Sequence, residues 1–113
     1  MSGLRRLIDS WRSRVTVTGH SMVPTLRDGD WVLVDPSAYR LRPPSPGEMV
    51  VAESPDGPLV KRVSELVGTA SVLLAGDAPS AGQHSHDVVV AVSAVSGRPW
   101  FRYWPAGRIG RIR

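Results

Sequence analysis

Hydrophobic residues near the start of the chain recur at helical spacing. Leu4, Leu7, Ile8 and Trp11 fall on one face of a helix, and most positions between them are charged. We therefore predict a short amphipathic helix at residues 3–12. Its apolar stripe could pack on the rest of the chain, which we favour, or lie on a membrane surface with the arginines toward lipid phosphates.

Beyond residue 13 the apolar pattern becomes that of β-strands. Short segments rich in β-branched and aromatic residues alternate with segments of Gly, Pro, Asp and Ser. The predicted strands are residues 14–18, 31–35, 48–53, 59–65, 71–75, 88–95 and 100–103. The predicted turns and loops are residues 28–30, 41–47, 54–58 and 96–99. This pattern predicts a mainly β, antiparallel domain with little helix.

Length and composition limit the organisation of the chain. Its 113 residues, 42% of them hydrophobic, can form one modest core but not two. We therefore divide it into an N-terminal helical segment, residues 1–14, and a single domain, residues 15–113. No stretch approaches the roughly 20 apolar residues that span a bilayer, and no secretory signal is recognisable. The sequence thus predicts a cytoplasmic protein without a transmembrane anchor.

Charge and cysteine usage exclude some chemistry. The net charge is +4, from 14 basic and 10 acidic residues. The basic residues are thirteen arginines and one lysine, Lys61. Such a balance could indicate a nucleic-acid or anionic-membrane partner, but the arginines are spread along the chain, which favours solvated surface charge. The absence of cysteine excludes disulfides, thiolate nucleophiles and zinc sites built from cysteine.

Ser21 is a candidate nucleophile. The segment around it begins as a strand and ends in a turn, with Gly19 and Pro24 on either side. A serine placed in this way can be exposed near converging backbone N–H groups, as an oxyanion hole requires. Most serines in such turns only cap or turn the backbone, so the segment alone is weak evidence for catalysis.

Lys61 is a candidate general base. Strand alternation places it on one face with Leu59 and Val63. In apolar surroundings a lysine loses its proton more easily, whereas an arginine stays protonated. The alternative is that the side chain extends its ammonium to the surface, and this segment alone does not distinguish the two.

Several motifs together resemble the type I signal peptidase family. They lie, in the family's order, at residues 19–26, 29–32, 47–51, 60–63, 76–79 with Ser85, and 103–105. The resemblance covers about residues 15–110, nearly the whole chain. It implies a coiled antiparallel β-sheet of the signal peptidase and LexA type, and a bacterial serine endopeptidase that works without a cofactor.

Carried onto this chain, the resemblance assigns catalytic roles to Ser21 and Lys61. Ser21 would attack the scissile carbonyl, and uncharged Lys61 would take its proton and pass it to the leaving amine. Gly19, His20 and Met22 would shape the cleft and the oxyanion hole. Since some family members carry a hydroxyl where this chain has Gly19, the second oxyanion donor stays open.

The third motif departs from the family pattern. Gly76, Asp77, Pro79 and Ser85 are kept, and Gly76, Asp77 and Ser85 are expected to support the lysine. Ala78, Gly82, His84 and His86 replace the family's Asn, Ser, Asp and Arg. These changes leave open how Lys61 is oriented.

The histidines allow competing interpretations. Ser21, Asp77 and either His84 or His86 could form a Ser-His-Asp triad, but the resemblance favours lysine as the base. His84 and His86 could also bind a metal. Two histidines without a third ligand are weak evidence for that, so we expect no metal site.

The resemblance also suggests a substrate. A short chain without an anchor is similar to the proteases that mature nickel-type superoxide dismutase by removing a leader from its precursor. We expect the precursor or leader to bind as an extended strand. Peripheral membrane contact through the N-terminal helix is also conceivable, and nucleic acid is not expected.

Two alternatives remain from the sequence. One is a LexA-like self-cleaving domain, although only about 20 residues precede Ser21, too few for a helix-turn-helix domain. The other is a non-catalytic basic β module that binds nucleic acid or an anionic surface. Its aromatic and arginine residues would be those at positions 100–104.

Overall fold

A computed structural model describes residues 13–78 and 87–112. The described residues form eight strands and two short 3-10 helices. The strands are β1 (Arg14–Thr16), β2 (Trp31–Asp35), β3 (Met49–Ser54), β4 (Gly57–Val67), β5 (Ser71–Ala75), β6 (Val88–Ala91), β7 (Val95–Trp104) and β8 (Gly110–Arg111). The 3-10 helices are Val92–Ala94 and Ala106–Arg108. The helix predicted at residues 3–12 lies outside the described residues.

All strand pairs are antiparallel, which confirms the mainly β prediction. The strand order is β1-β2-β7-β3-β4-β5-β6, and β8 pairs with β7. The end of β7 from Arg98 to Trp104 pairs with β2, and its beginning, at Val95 and Gly97, pairs with β3. A late segment of the chain therefore joins two early strands.

The loop predicted at residues 96–99 is wrong, because these residues lie inside β7. Gly and Pro usually indicate a turn, but here they serve close packing. A Cβ at position 97 would lie 2.6 Å from the Asp35 carbonyl oxygen, so glycine lets β7 approach β2. Pro99 pairs with Val34 beside a register shift in β2, where the ladder is already irregular. The strand predicted at 88–95 is also shorter and ends at Ala91.

Two groups of buried side chains hold the sheet together. The first core cluster is Val17, Met22, Leu26, Val32 and Met49. The second core cluster is Val50, Ala52, Val63, Val72 and Leu74. Both draw on β3, because successive side chains of a strand point to opposite faces. The first core cluster packs beneath the turn that carries Ser21.

The loop before β3 is fixed by an ion pair on Glu48. Arg42 donates two hydrogen bonds to the Glu48 carboxylate at 2.7 Å, and the Ser45 N–H donates a third at 2.7 Å. These donors, Arg42 foremost, lower the pKa of Glu48 from its usual 4.5 to about 2.

This ion pair predicts acid-sensitive stability. A carboxylate whose pKa is lowered by folding stabilises the native state above its unfolded pKa, and that contribution is lost as pH falls toward the folded value. We therefore expect the free energy of unfolding, measured by urea titration, to fall between about pH 4.5 and about pH 2. The Glu48→Gln variant should lose less stability over this interval, whereas a Glu65→Gln control should behave as the wild type. An equal loss in the Glu48→Gln variant would contradict the assignment.

Candidate active site

Ser21 lies in a compact turn, residues 19–26, that follows β1. Gly19 has a φ of +83°, a backbone conformation that favours glycine, and its N–H donates to Asp28 Oδ1 at 2.7 Å. Within the turn, the Leu26 N–H donates to the Met22 carbonyl at 2.9 Å. Met22 and Leu26 are fully buried in the first core cluster. The turn is thus anchored on both sides of Ser21, which is itself partly exposed.

Lys61 is buried on β4. Only 8% of the residue is exposed, and it pairs with Val50 of β3. The face of β4 that carries Lys61 is therefore turned inward. The neighbour of Lys61 on this face, Val63, belongs to the second core cluster.

Ser21 and Lys61 line the same pocket. The pocket has a volume of about 80 Å³. Residues 16–18, Met22 and residues 58–60 also line it. The fold therefore brings together two side chains that are 40 positions apart in the sequence. No hydrogen bond joins Ser21 Oγ to Lys61 Nζ, as is common for catalytic pairs before substrate binds.

The segment after β5 presses against the backbone of Ser21. The Ala78 N–H donates to the Ser21 carbonyl at 2.9 Å. A Cβ at position 76 would lie only 2.3 Å from the same carbonyl oxygen and 3.0 Å from Ser21 Cβ. Position 76 therefore requires glycine, and the close packing there restricts movement of the Ser21 backbone.

Asp77 connects the nucleophile turn to the strand of the base. Its carboxylate accepts a hydrogen bond from Thr25 Oγ1 at 2.7 Å. It also accepts two from Arg62, from Nε and Nη2, both at 2.8 Å. Arg62 first, and Thr25 after it, lower the pKa of Asp77, so the carboxylate stays ionised. Arg62 directly follows Lys61, so Asp77 holds the two halves of the site in one arrangement.

The N–H groups of Ser21 and Gly19 are the candidates for the oxyanion hole. The Ser21 N–H makes no hydrogen bond to any other described residue. Gly19 has no side chain, and its N–H is already bonded to Asp28. Of the other two predicted cleft residues, His20 is exposed and Met22 is buried beneath the turn.

The remaining predicted site residue, Ser85, lies outside the described part of the chain. Gly82, His84 and His86 lie there too, so the triad and the role of the altered third motif stay predictions. Within residues 13–78 and 87–112, no group of three or more His, Cys, Asp or Glu side chains could hold a metal. Nor does this part of the chain contain a helix long and apolar enough to cross a bilayer.

Sequence reasoning missed the polar contacts that support the turn. Thr25 and Arg62 bind Asp77, and Arg102 and Arg108 bind Asp30, which is 1% exposed. The sequence did contain an indication of the contacts to Asp30. Asp30 opens the apolar segment of β2, and a carboxylate at such a position requires cationic partners.

Comparison with known proteins identifies one family. A family model described as signal peptidase, peptidase S26, matches residues 7–75. This match covers more than half of the chain and includes both Ser21 and Lys61. No match was found among curated proteins or among solved structures.

Proposed function

This chain belongs to the signal peptidase family, peptidase S26, and from that membership we propose that it is a serine endopeptidase in which Ser21 is the nucleophile and Lys61 the general base. The observation that carries the proposal is the shared pocket, which is lined by a partly exposed serine and by the single lysine of the chain. That lysine is buried, with only 8% of the residue exposed.

The proposed reaction has two steps. Uncharged Lys61 takes the proton of Ser21 Oγ as the oxygen attacks the scissile carbonyl, and the Ser21 N–H donates to the developing oxyanion. Lys61 then gives the proton to the leaving amine, which departs and leaves an acyl-enzyme. Lys61 then takes a proton from a water molecule that attacks the ester, and returns this proton to Ser21 Oγ as the acid product leaves.

Two strand edges beside the pocket favour an extended substrate. Among the described strands, β1 pairs only with β2, and β4 pairs with β5 only from Arg62 onward. Residues 57–61 of β4 therefore have an edge that no described strand covers. A peptide between these edges could add as a strand and gain backbone hydrogen bonds. The small pocket at Ser21 favours small side chains at the cleavage point.

The substrate that we propose is a precursor with an N-terminal leader. A second cavity of about 270 Å³ is lined in part by residues 13–15, and Pro58 lines both this cavity and the pocket at Ser21. We propose that the second cavity receives leader residues beyond the cleavage point. Removal of a leader from a nickel-type superoxide dismutase precursor, in the cytoplasm or at the membrane surface, is the specific reaction that we propose.

Cleavage followed by mass spectrometry tests this proposal. We expect the wild-type protein to cut a leader-bearing superoxide dismutase precursor at one bond, and the Ser21→Ala variant to cut it at least about a hundredfold more slowly. A His84→Ala/His86→Ala variant should retain activity, since its loss would indicate a histidine base instead. A fall in the mass of the protein itself would favour the LexA-like alternative.

A non-catalytic binding module is the second candidate function. Trp31 and Trp104 are 43% and 49% exposed, and their rings lie 5.6 Å apart. Exposed aromatic rings near arginines could stack on bases or sit at a membrane interface. Binding of single-stranded nucleic acid or anionic vesicles that weakens with salt, together with no cleavage of any precursor, would favour this function.

A further inference from the structure

A buried carboxylate holds the C-terminal part of the sheet to the nucleophile turn. Asp30 Oδ1 accepts a hydrogen bond from Arg108 at 2.9 Å. Its Oδ2 accepts one from the Arg27 N–H at 2.8 Å and one from Arg102 Nη1 at 3.3 Å. A carboxylate this deeply buried is stable only because several donors surround it.

Arg102 makes two contacts that Arg108 does not. Its Nε donates to the Arg108 carbonyl at 2.5 Å. Its Nη1 also donates to the Thr25 carbonyl at 3.0 Å. Thr25 is the residue whose hydroxyl donates to Asp77, and Asp77 binds Arg62 beside Lys61. A continuous series of hydrogen bonds therefore runs from Arg102 through Thr25 and Asp77 to the strand of the base.

We propose that Arg102 is a positioning residue for catalysis, because it fixes Thr25 and through it the relative placement of Ser21 and Lys61. This inference rests on the proposed function. Thr25 is held by two hydrogen bonds: its carbonyl accepts one from Arg102, and its hydroxyl donates one to Asp77. If Arg102 is removed, the turn can shift within an otherwise intact fold, and small displacements of reacting groups slow catalysis strongly.

The two arginines separate positioning from stability. Without Arg102, the Arg108 carbonyl loses its bond from Arg102 Nε, but Asp30 keeps the Arg108 guanidinium and the Arg27 N–H as partners, so the buried charge remains compensated. Without Arg108, Asp30 loses its shorter ion pair, but the contact between Arg102 and Thr25 remains. Arg102 variants should therefore change turnover, and Arg108 variants should change mainly the melting temperature.

Steady-state kinetics on the full chain tests the inference, with a leader-bearing precursor that the wild type cleaves. We expect Arg102→Met to lower kcat by roughly ten- to a hundredfold while KM changes less than about twofold. Arg102→Lys should restore part of kcat, because an ammonium can still donate to the Thr25 carbonyl. Arg108→Met, and Arg111→Met as a surface control, should leave kcat within about twofold of the wild type.

A double-mutant cycle tests the series of contacts itself. Thr25→Val removes the hydroxyl but keeps the carbonyl, so it should lower kcat in the same way. If Arg102 acts through Thr25, the double variant should be little slower than the slower single variant. Effects that multiply would overturn the inference, as would an unchanged kcat in Arg102→Met or equal losses of kcat in the Arg102 and Arg108 variants.

Amide hydrogen exchange distinguishes failure of this inference from failure of the proposed function. The Ala78 N–H, which bonds to the Ser21 carbonyl, should exchange faster in Arg102→Met but not in Arg108→Met. If the wild type cleaves nothing and this difference is present, the proposed function fails and the positioning role stands. If the wild type is active and the Ala78 exchange rate is unchanged in Arg102→Met, the positioning role fails alone.

Discussion

Replacing Lys61 with methionine should abolish nearly all peptide cleavage without unfolding the protein. General base catalysis contributes about a hundred- to ten-thousandfold to such reactions, and no other described amine can replace this one in the pocket. Methionine has a similar length and is apolar, so a site that is 8% exposed should accept it. Cleavage rates and urea unfolding of the same preparations measure the two effects.

Lys61→Arg is the sharper form of the experiment. Arginine keeps the positive charge and much of the shape, but its guanidinium does not give up a proton near neutral pH. If Lys61 acts as a base, the arginine variant should be as inactive as the methionine variant. Arg111→Met, at an exposed position on β8, controls for loss of a cation elsewhere. Substantial cleavage by Lys61→Arg would contradict the base assignment and favour a role through charge alone.

Gly76→Ala should damage both stability and activity. The added Cβ would lie 2.3 Å from the Ser21 carbonyl oxygen, a backbone atom that cannot rotate away. Relief of this contact requires β5 or the nucleophile turn to move, at a cost of about 1–3 kcal/mol for overpacking. Since the atom displaced belongs to the nucleophile residue, we expect kcat to fall at least about a hundredfold.

The matched control for this prediction is Gly107→Ala. No atom lies within 4 Å of a Cβ built at position 107, so the same chemical change should have little effect there. Thermal unfolding and cleavage rates should be compared for both variants. Wild-type kcat in Gly76→Ala would show that the contact with Ser21 does not position the nucleophile.

Much of the sheet could be predicted from local pattern. The predicted strands 31–35 and 71–75 match β2 and β5 residue for residue. In these strands buried β-branched and leucine side chains coincide with local β propensity. The loop prediction for residues 96–99 was wrong because glycine and proline there allow a close contact between β7 and β2. That contact depends on residues more than 60 positions away.

The candidate site was likewise predictable only in part. Ser21 and Lys61 could be proposed from the local motifs and from the resemblance to a family. The contacts that hold them could not, because Asp77 binds partners 15 and 52 positions away. Strand alternation placed Lys61 on a face with Val63, but only the tertiary structure decides which side chains meet across the sheet.

The position of β7 between β2 and β3 has a consequence for how the protein is made. Ribosomes extend a chain from its N-terminus, so residues 19–30 emerge long before Arg102 and Arg108, which lie 72 to 78 positions later than their partners Asp30 and Thr25. Contacts so distant in sequence form slowly. The nascent chain therefore carries Ser21, and later Lys61, without the strand that anchors the nucleophile turn, and a proteolytic centre of this design would remain inactive until β7 has been made and has paired.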